Sequence, residues 1–166
     1  MISSTTITTS SRLWSRQSQF RVTETMADIV SREQRSRMMG RIGGKDTGPE
    51  LSVRRILRSL RVGYRLHVSG LPGHPDIVMK GRQKIIEVRG CFWHRHPGCP
   101  KAYTPKSNKA FWKSKFTRNV ARDRKNAREL QNSGWDVLTV WECETSDTKL
   151  LSVRVRKFLS DRGKPA

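Results

Sequence analysis

Four side chains of metal-ligand type crowd into nine residues: Cys91, His94, His96 and Cys99 lie within Gly90-Cys91-Phe92-Trp93-His94-Arg95-His96-Pro97-Gly98-Cys99. The third cysteine of the chain, Cys143, follows 44 residues after Cys99 at the end of an apolar run. Cys91, His96, Cys99 and Cys143 together offer three thiolates and one imidazole, a usual closed set for structural zinc, Zn2+. A loop this polar needs a cross-link to hold its shape, and such a site ties it to a distant strand. The alternative has Cys143 as a buried strand cysteine and Cys91 and Cys99 as small apolar fillers. An odd number of cysteines makes a closed disulfide framework a poor reading, and the neighbouring histidines point to thiolate chemistry in a reducing compartment. A cytoplasmic, nucleoid-associated location is the expectation. With the other four in ligand places, His94 is left over, free for proton transfer or an ordinary hydrogen-bonding residue.

The 34 Lys and Arg against 14 Asp and Glu give a formal charge of +20, a long-range field attractive to polyanions. Nucleic acid is the leading partner; a ribosome-associated or merely sticky basic protein is the bland alternative. No run approaches the roughly 18 apolar residues that span a bilayer, and the basic residues are spread along the chain, so a membrane role is not expected. At 166 residues and 34% hydrophobic, one compact domain is expected.

Residues 1–25 stand apart: 12 of them are Ser or Thr and the single acid is Glu24. This segment is expected to be disordered, as is a short tail at 161–166, leaving 26–160 as the folded domain. The first 25 residues read either as an organelle transit peptide or, the preferred reading, as an extension upstream of a start at Met26.

Ser31 with Gln34 forms a capping-box pattern that opens a short basic helix. Thr47-Gly48-Pro49-Glu50 repeats the signal more strongly, and Val53, Ile56, Leu57 and Leu60 then recur at helical spacing. Gly63 to His67, Ile77 to Met79 and Ile85 to Val88 read as strands, the last two joined into a hairpin by a turn around Gly81-Arg82. A long basic helix from about Lys109 to Gln131 sends Phe116, Val120 and Leu130 toward the core, and Asn132-Ser133-Gly134 ends it. Trp135 to Trp141 is a buried strand, and a last helix over Asp147 to Leu159 presents Leu151, Val155 and Phe158 on one face. The pattern implies an α/β fold, helices against a central mixed sheet.

Carboxylates are scarce, so Asp76 at the entry to one strand and Glu87 among the apolar residues of the next draw attention as ligands for Mg2+, which takes few carboxylates and keeps waters. The alternatives are a turn residue for Asp76 and an outward-facing strand position for Glu87.

Six segments, in order, carry a resemblance to a known family: Arg35-Ser36-Arg37-Met38-Met39, Asp46-Thr47-Gly48-Pro49-Glu50, Leu71-Pro72-Gly73-His74-Pro75-Asp76, Gly90-Cys91-Phe92-Trp93-His94, Asn119-Val120-Ala121-Arg122-Asp123, and the run from Trp135 to Cys143. Between about Met26 and Phe158 the chain resembles the very-short-patch repair endonucleases, a branch of the restriction-endonuclease-like fold. That resemblance implies a mixed sheet flanked by helices with a structural zinc site at Cys91, His96, Cys99 and Cys143. It implies that Asp76 is the central Mg2+-binding carboxylate, with the Val88 carbonyl as a further ligand, and that His94 is the general base. Glu50 and Asp123 match acids that hold metal-bound waters or orient the histidine; Glu50 also sits at the capping-box position. Phe92 and Trp93 match aromatics wedged into the duplex beside the mismatch, with Met39 approaching from the other groove. A wobble pair stacks poorly, so prying it open costs less than an ordinary step. The alternative for Phe92 and Trp93 is core packing.

One position departs from the family. Where relatives carry a histidine or an acid, this chain has Arg89, and Glu87-Val88-Arg89 looks like the acid-x-base triplet of wider restriction-type enzymes. Arg89 is expected near the scissile phosphate as an electrostatic stabiliser. The expectation is therefore a monomeric endodeoxyribonuclease that nicks double-stranded DNA 5′ to the thymine of a T:G mismatch, in a bacterial-type cytoplasm and with mismatch-repair proteins as possible partners. Its rivals are a restriction-type or structure-specific nuclease on the same fold, and a non-enzymatic zinc-stapled DNA-binding module.

Overall fold

The computed structural model describes residues 44–161. The expectations for residues 1–25, for the helix opening at Ser31, for Met39 and for residues 162–166 lie outside them.

Helix α1, Gly48–Ser59, begins where the sequence signals it: the Thr47 hydroxyl accepts from the Glu50 N–H at 3.4 Å, and Pro49 occupies the first turn. The capping box is not closed as expected, because Glu50 accepts from the N–H of Asp46 at 2.9 Å rather than from that of Thr47. Asp46 has a left-handed backbone, φ 55°, which folds its amide back over the helix start. Val53, Ile56 and Leu57 form the buried stripe of α1.

A four-stranded sheet follows in the order β1-β2-β3-β4. Strand β1 is only Arg65–Leu66, shorter than the expected Gly63 to His67, because His67 leaves the extended region with φ 45°. It pairs antiparallel with β2, Ile77–Met79, which pairs antiparallel with β3, Lys84–Arg89. The turn between β2 and β3 is a single 3-10 turn, Lys80–Arg82, and its left-handed residue is Gln83 rather than a glycine. Beyond β3 the chain makes a short helix α2, Cys91–His94, and the long helix α3, Lys109–Asn132. Gly134, at φ 79°, turns the chain from α3 into β4, Asp136–Trp141, which runs parallel to β3. A 3-10 turn, Glu142–Ser146, leads to α4, Thr148–Ser160, whose first amides donate to the Asp147 carboxylate at 3.0 and 2.9 Å.

Alternation along the strands divides the core in two. Ile77, Met79, Ile86 and Val140 face α1 and α4, packing on Val53, Ile56, Leu57, Leu151 and Val155. Val78 and Ile85 face the opposite side and pack on Leu130 of α3. Strand β4 is less enclosed than expected: only Val140 is buried, because β4 forms an edge of the sheet. Val120 is half-buried and lines a surface groove with Phe116 and Ala121 instead of entering the core. Lys84 is buried at 4% exposure, reaching Asp136 at 2.9 Å while its ammonium lies over the Phe158 ring. Among the described residues no helix is long and apolar enough to cross a membrane.

Leu57 is fully buried between the sheet and α4, so Leu57→Ala is expected to lower the unfolding free energy by about 3 kcal/mol in a denaturant titration. Leu150→Ala, at a side chain 69% exposed, is expected to stay within about 0.5 kcal/mol of wild type.

Candidate functional site

The acids expected to carry the chemistry converge at the mouth of β2. Asp76 immediately precedes β2, and its Oδ2 accepts the Val88 N–H of β3 at 2.8 Å. The loop that delivers it, Leu71-Pro72-Gly73-His74-Pro75, lies against α3 so closely that a Cβ on Gly73 would collide with the side chain of Asn126. Burial pushes the Asp76 carboxyl above the ordinary carboxylate range against the Val88 N–H that holds it down, and the nearby charges of Glu50 and Glu87 push the same way as burial. Glu50, buried at 2% exposure in the first turn of α1, is held by the Asp46 amide and by Arg54 Nη1 at 3.2 Å. Arg54 also pairs with Asp46. Glu87 is buried as well, not outward-facing, and its Oε2 pairs with Arg89 Nη2 at 2.5 Å on the same face of β3.

His94, at the end of α2, forms a second unit with Asp123 of α3, with Nδ1 and Oδ2 separated by 2.5 Å. Burial raises the Asp123 carboxyl, but the His94 hydrogen bond and the charges of His94, Arg89 and Arg122 outweigh it, so Asp123 titrates below its ordinary range. An ionised Asp123 accepting at Nδ1 sets the imidazole tautomer and leaves Nε2 to accept a proton. Arg89 thus has two carboxylates to answer, one in contact and one through space.

The four expected ligands meet. One ligand atom from each of Cys91, His96, Cys99 and Cys143 lies within 4.8 Å of every other. His96 Nδ1 is 3.6 Å from Cys91 Sγ and 3.3 Å from Cys143 Sγ, close to the edge of roughly 3.5 Å that a zinc tetrahedron with its usual bond lengths requires. The His96 ring stacks on Trp141 at 4.3 Å, and the Cys91 N–H donates to Glu142 at 3.3 Å, so the cluster is oriented from outside as well. Burial, together with the neighbouring thiols of Cys143 and Cys99, pushes the Cys91 thiol up to about 12. Burial opposes ionisation of Cys99 too, yet the hydrogen bonds it accepts from the Lys101 and Ala102 amides and from the Cys91 and Cys143 thiols bring it below the ordinary range. This donor set can hold a metal ion, and His94 stands outside it, as expected.

Phe92 and Trp93 belong to neither core cluster; both are half-buried in an aromatic group of their own. Phe92 meets Trp93, Tyr103, Trp112 and Phe116 with ring centroids 5.1 to 5.4 Å apart. Lys115 lies over the Trp93 ring at 4.9 Å, and Asn119 donates to the Trp93 carbonyl at 3.1 Å. The sequence reading missed Trp112, although its spacing of four from Phe116 on a helix was visible. It also missed Arg54 and His67; Arg54 is one turn from Glu50 and could have been found, whereas a lone histidine at a strand end carries no signal.

Comparison with known proteins bears on this arrangement directly. The family model of the DNA mismatch endonuclease Vsr matches residues 27–101. The type II nicking enzyme V.XorIIP of Xanthomonas oryzae is 42% identical over 134 residues, covering 81% of this chain and 98% of that protein. The type II nicking enzyme V.NmeAIP of Neisseria meningitidis is 38% identical, covering 82% of this chain and 96% of that protein. The DNA mismatch endonuclease Vsr of Escherichia coli is 34% identical, covering 85% and 93%. A mixed sheet flanked by helices, with these relatives, defines an endodeoxyribonuclease, an enzyme that acts on DNA. The chain belongs to the Vsr family of DNA mismatch endonucleases.

A carboxyl raised in the folded state contributes stability that is complete below its unfolded value and is lost as pH rises through its folded value. Without divalent ions, Asp76→Asn removes that loss and is expected to raise the melting temperature at neutral pH. Calorimetry across pH checks this, since the difference should shrink as pH falls toward the ordinary aspartate value of about 3.9 and vanish well below it, where the aspartate is protonated in both states.

Proposed function

We propose that this enzyme nicks one strand of duplex DNA immediately 5′ to the mismatched thymine of a T:G pair, opening the way for very-short-patch repair. The observation that carries the hydrolytic reading is Asp76, a partly buried carboxylate pinned by the Val88 amide and crowded by Glu50 and Glu87. A carboxylate so placed fits Mg2+, which is held by one or two protein oxygens and otherwise by water; Asp76 and the Val88 carbonyl would hold it. When bound, the ion supplies Lewis-acid activation of a water and of the phosphate oxygens.

The chain's own residues divide the remaining work. His94 Nε2 takes the proton of the attacking water while Asp123 keeps the imidazole oriented and stabilises the imidazolium. The water oxygen bonds to phosphorus as the P–O3′ bond breaks, leaving a 5′-phosphate and a 3′-hydroxyl whose oxygen is protonated from solvent. Arg89, turned from Glu87 toward the phosphate, faces the charge that builds in the transition state. Glu50 orients water on the ion. Phe92 and Trp93, with Met39 from the other groove, enter the stack beside the weakly stacked wobble pair. Zn2+ suits the Cys91, His96, Cys99 and Cys143 set, three thiols and an imidazole whose His96 Nδ1 lies 3.6 and 3.3 Å from two of the sulfurs.

The nicking enzymes among the relatives support cutting of a single strand, in keeping with a monomer that has one active site. The catalytic domain spans residues 26–160, and the enzyme works in a bacterial cytoplasm beside the nucleoid.

An end-labelled duplex with one T:G pair, compared with its T:A counterpart, tests the reading. Nicking of the T-containing strand of the T:G duplex alone, dependent on Mg2+ and reduced at least about 10³-fold by Asp76→Ala, is the expected result. Equal cutting of the two duplexes would move the enzyme to a restriction-type specificity. Arg89→Ala is expected to slow single-turnover nicking about 10²-fold; a wild-type rate would remove Arg89 from the mechanism.

A further inference from the structure

His67 closes β1 with a left-handed backbone, φ 45°, a conformation few residues other than glycine adopt. Its N–H still donates to the Asp76 carbonyl at 3.2 Å, which keeps the two residues paired across the strand ends. The side chain turns inward, and Nε2 comes to 3.5 Å from Glu50 Oε1 with side-chain exposures of 19% and 2%. That separation is within reach of an ion pair but outside hydrogen-bond geometry, so Nε2 is buried without a hydrogen-bond partner.

Orphaned buried donors are rare, and one that persists beside a reactive cluster calls for an explanation. Charge neutralisation of Glu50 does not supply it, because Arg54 and the Asp46 amide already grip that carboxylate. Packing does not supply it either, since a residue with unstrained backbone fills space better. What remains is the direction of Nε2, toward Glu50, the α1 carboxylate whose charge bears on Asp76.

We infer that His67 is a positioning residue of the hydrolytic site: its Nε2–H holds Glu50, directly or through one water, in the orientation that supports the ion on Asp76. The inference rests on the reading of Asp76 as the metal-binding carboxylate. It adds to the site a member that comes from the sheet edge.

Two substitutions separate this role from a structural one. In His67→Gln the side-chain amide nitrogen reaches the place of Nε2; in His67→Asn it reaches only that of Nδ1 and stops short of Glu50. Asparagine tolerates a positive φ well, so a merely structural role favours Asn over Gln, the reverse of what positioning requires. Melting temperature and zinc content establish that both variants are folded. Mn2+ binding to the protein without DNA, followed by electron paramagnetic resonance, is then measured alongside the Mg2+ concentration for half-maximal single-turnover nicking. His67→Asn is expected to weaken Mn2+ binding about tenfold and to raise the Mg2+ requirement in parallel, with His67→Gln within about threefold of wild type. Wild-type Mn2+ binding by His67→Asn, or a loss in His67→Gln as large as in His67→Asn, overturns the inference. Mn2+ binding that is indifferent to Asp76→Ala overturns the metal-site reading itself, and the role of His67 falls with it.

Discussion

The parallel pairing of β3 with β4 is the constraint on which the site depends. Its register sets Val88 opposite Val140 and Arg89 opposite Trp141. Two residues beyond that last pair, the two strands deliver Cys91 and Cys143 side by side, which is how thiols so distant in sequence come to face one ligand position. His96 and Cys99 complete the ring from the turn after α2, and His96 rests on Trp141, the last residue of β4. A cation in that ring would clamp the ends of both strands at once. The segment between Cys91 and His96 is the one that carries His94 to Asp123, so the thiol ring and the His94–Asp123 pair are built from the same few residues. Strand β3 also supplies the Val88 amide that pins Asp76, and one strand thereby locates both halves of the chemistry.

Charge is balanced unevenly among the buried acids. In a chain of net +20, the buried Glu50 is answered by Arg54 and the buried Glu87 by Arg89. Asp76 has the Val88 N–H but no ion pair among the described residues, and its two acidic neighbours oppose its ionisation. A divalent cation is the physical complement of that imbalance, and the positive surface outside it suits the DNA the enzyme acts on.

Much of this was legible in the residues. The Thr47 cap, the apolar stripe of α1 and the alternation in β2 and β3 are local, and the structure follows them closely because local spacing decides them. The zinc-type ligands were legible from residue type, with Cys143 placed by its position at a strand end. What escaped depends on tertiary contact. Glu50 bonds Asp46 rather than Thr47 because Asp46 takes a left-handed turn that no spacing announces. Helix α2 is four residues long, shorter than any periodic signal. β4 reads as buried from its apolar residues, but which strand lies at the edge is a property of the topology. Asp76 stood out as an acid at a strand entry and His94 as the histidine left outside the ligand set, but the role of Asp123 and the way the three combine came from resemblance, since neither spacing nor composition brings the residue before β2 together with α2 and α3. His67 was invisible for the same reason.

If the ring of three thiols and one imidazole organises the proposed hydrolytic residues rather than merely stabilising the chain, nicking must follow the metal content of the ring. Stepwise removal of metal with a chelator, with zinc content and single-turnover nicking of a T:G duplex measured on the same samples in excess Mg2+, tests it most directly. The expected result is one zinc per chain in the starting protein and nicking that falls in proportion to zinc lost, unrestored by further Mg2+ and restored by Zn2+. Full nicking by protein that holds no zinc would contradict it.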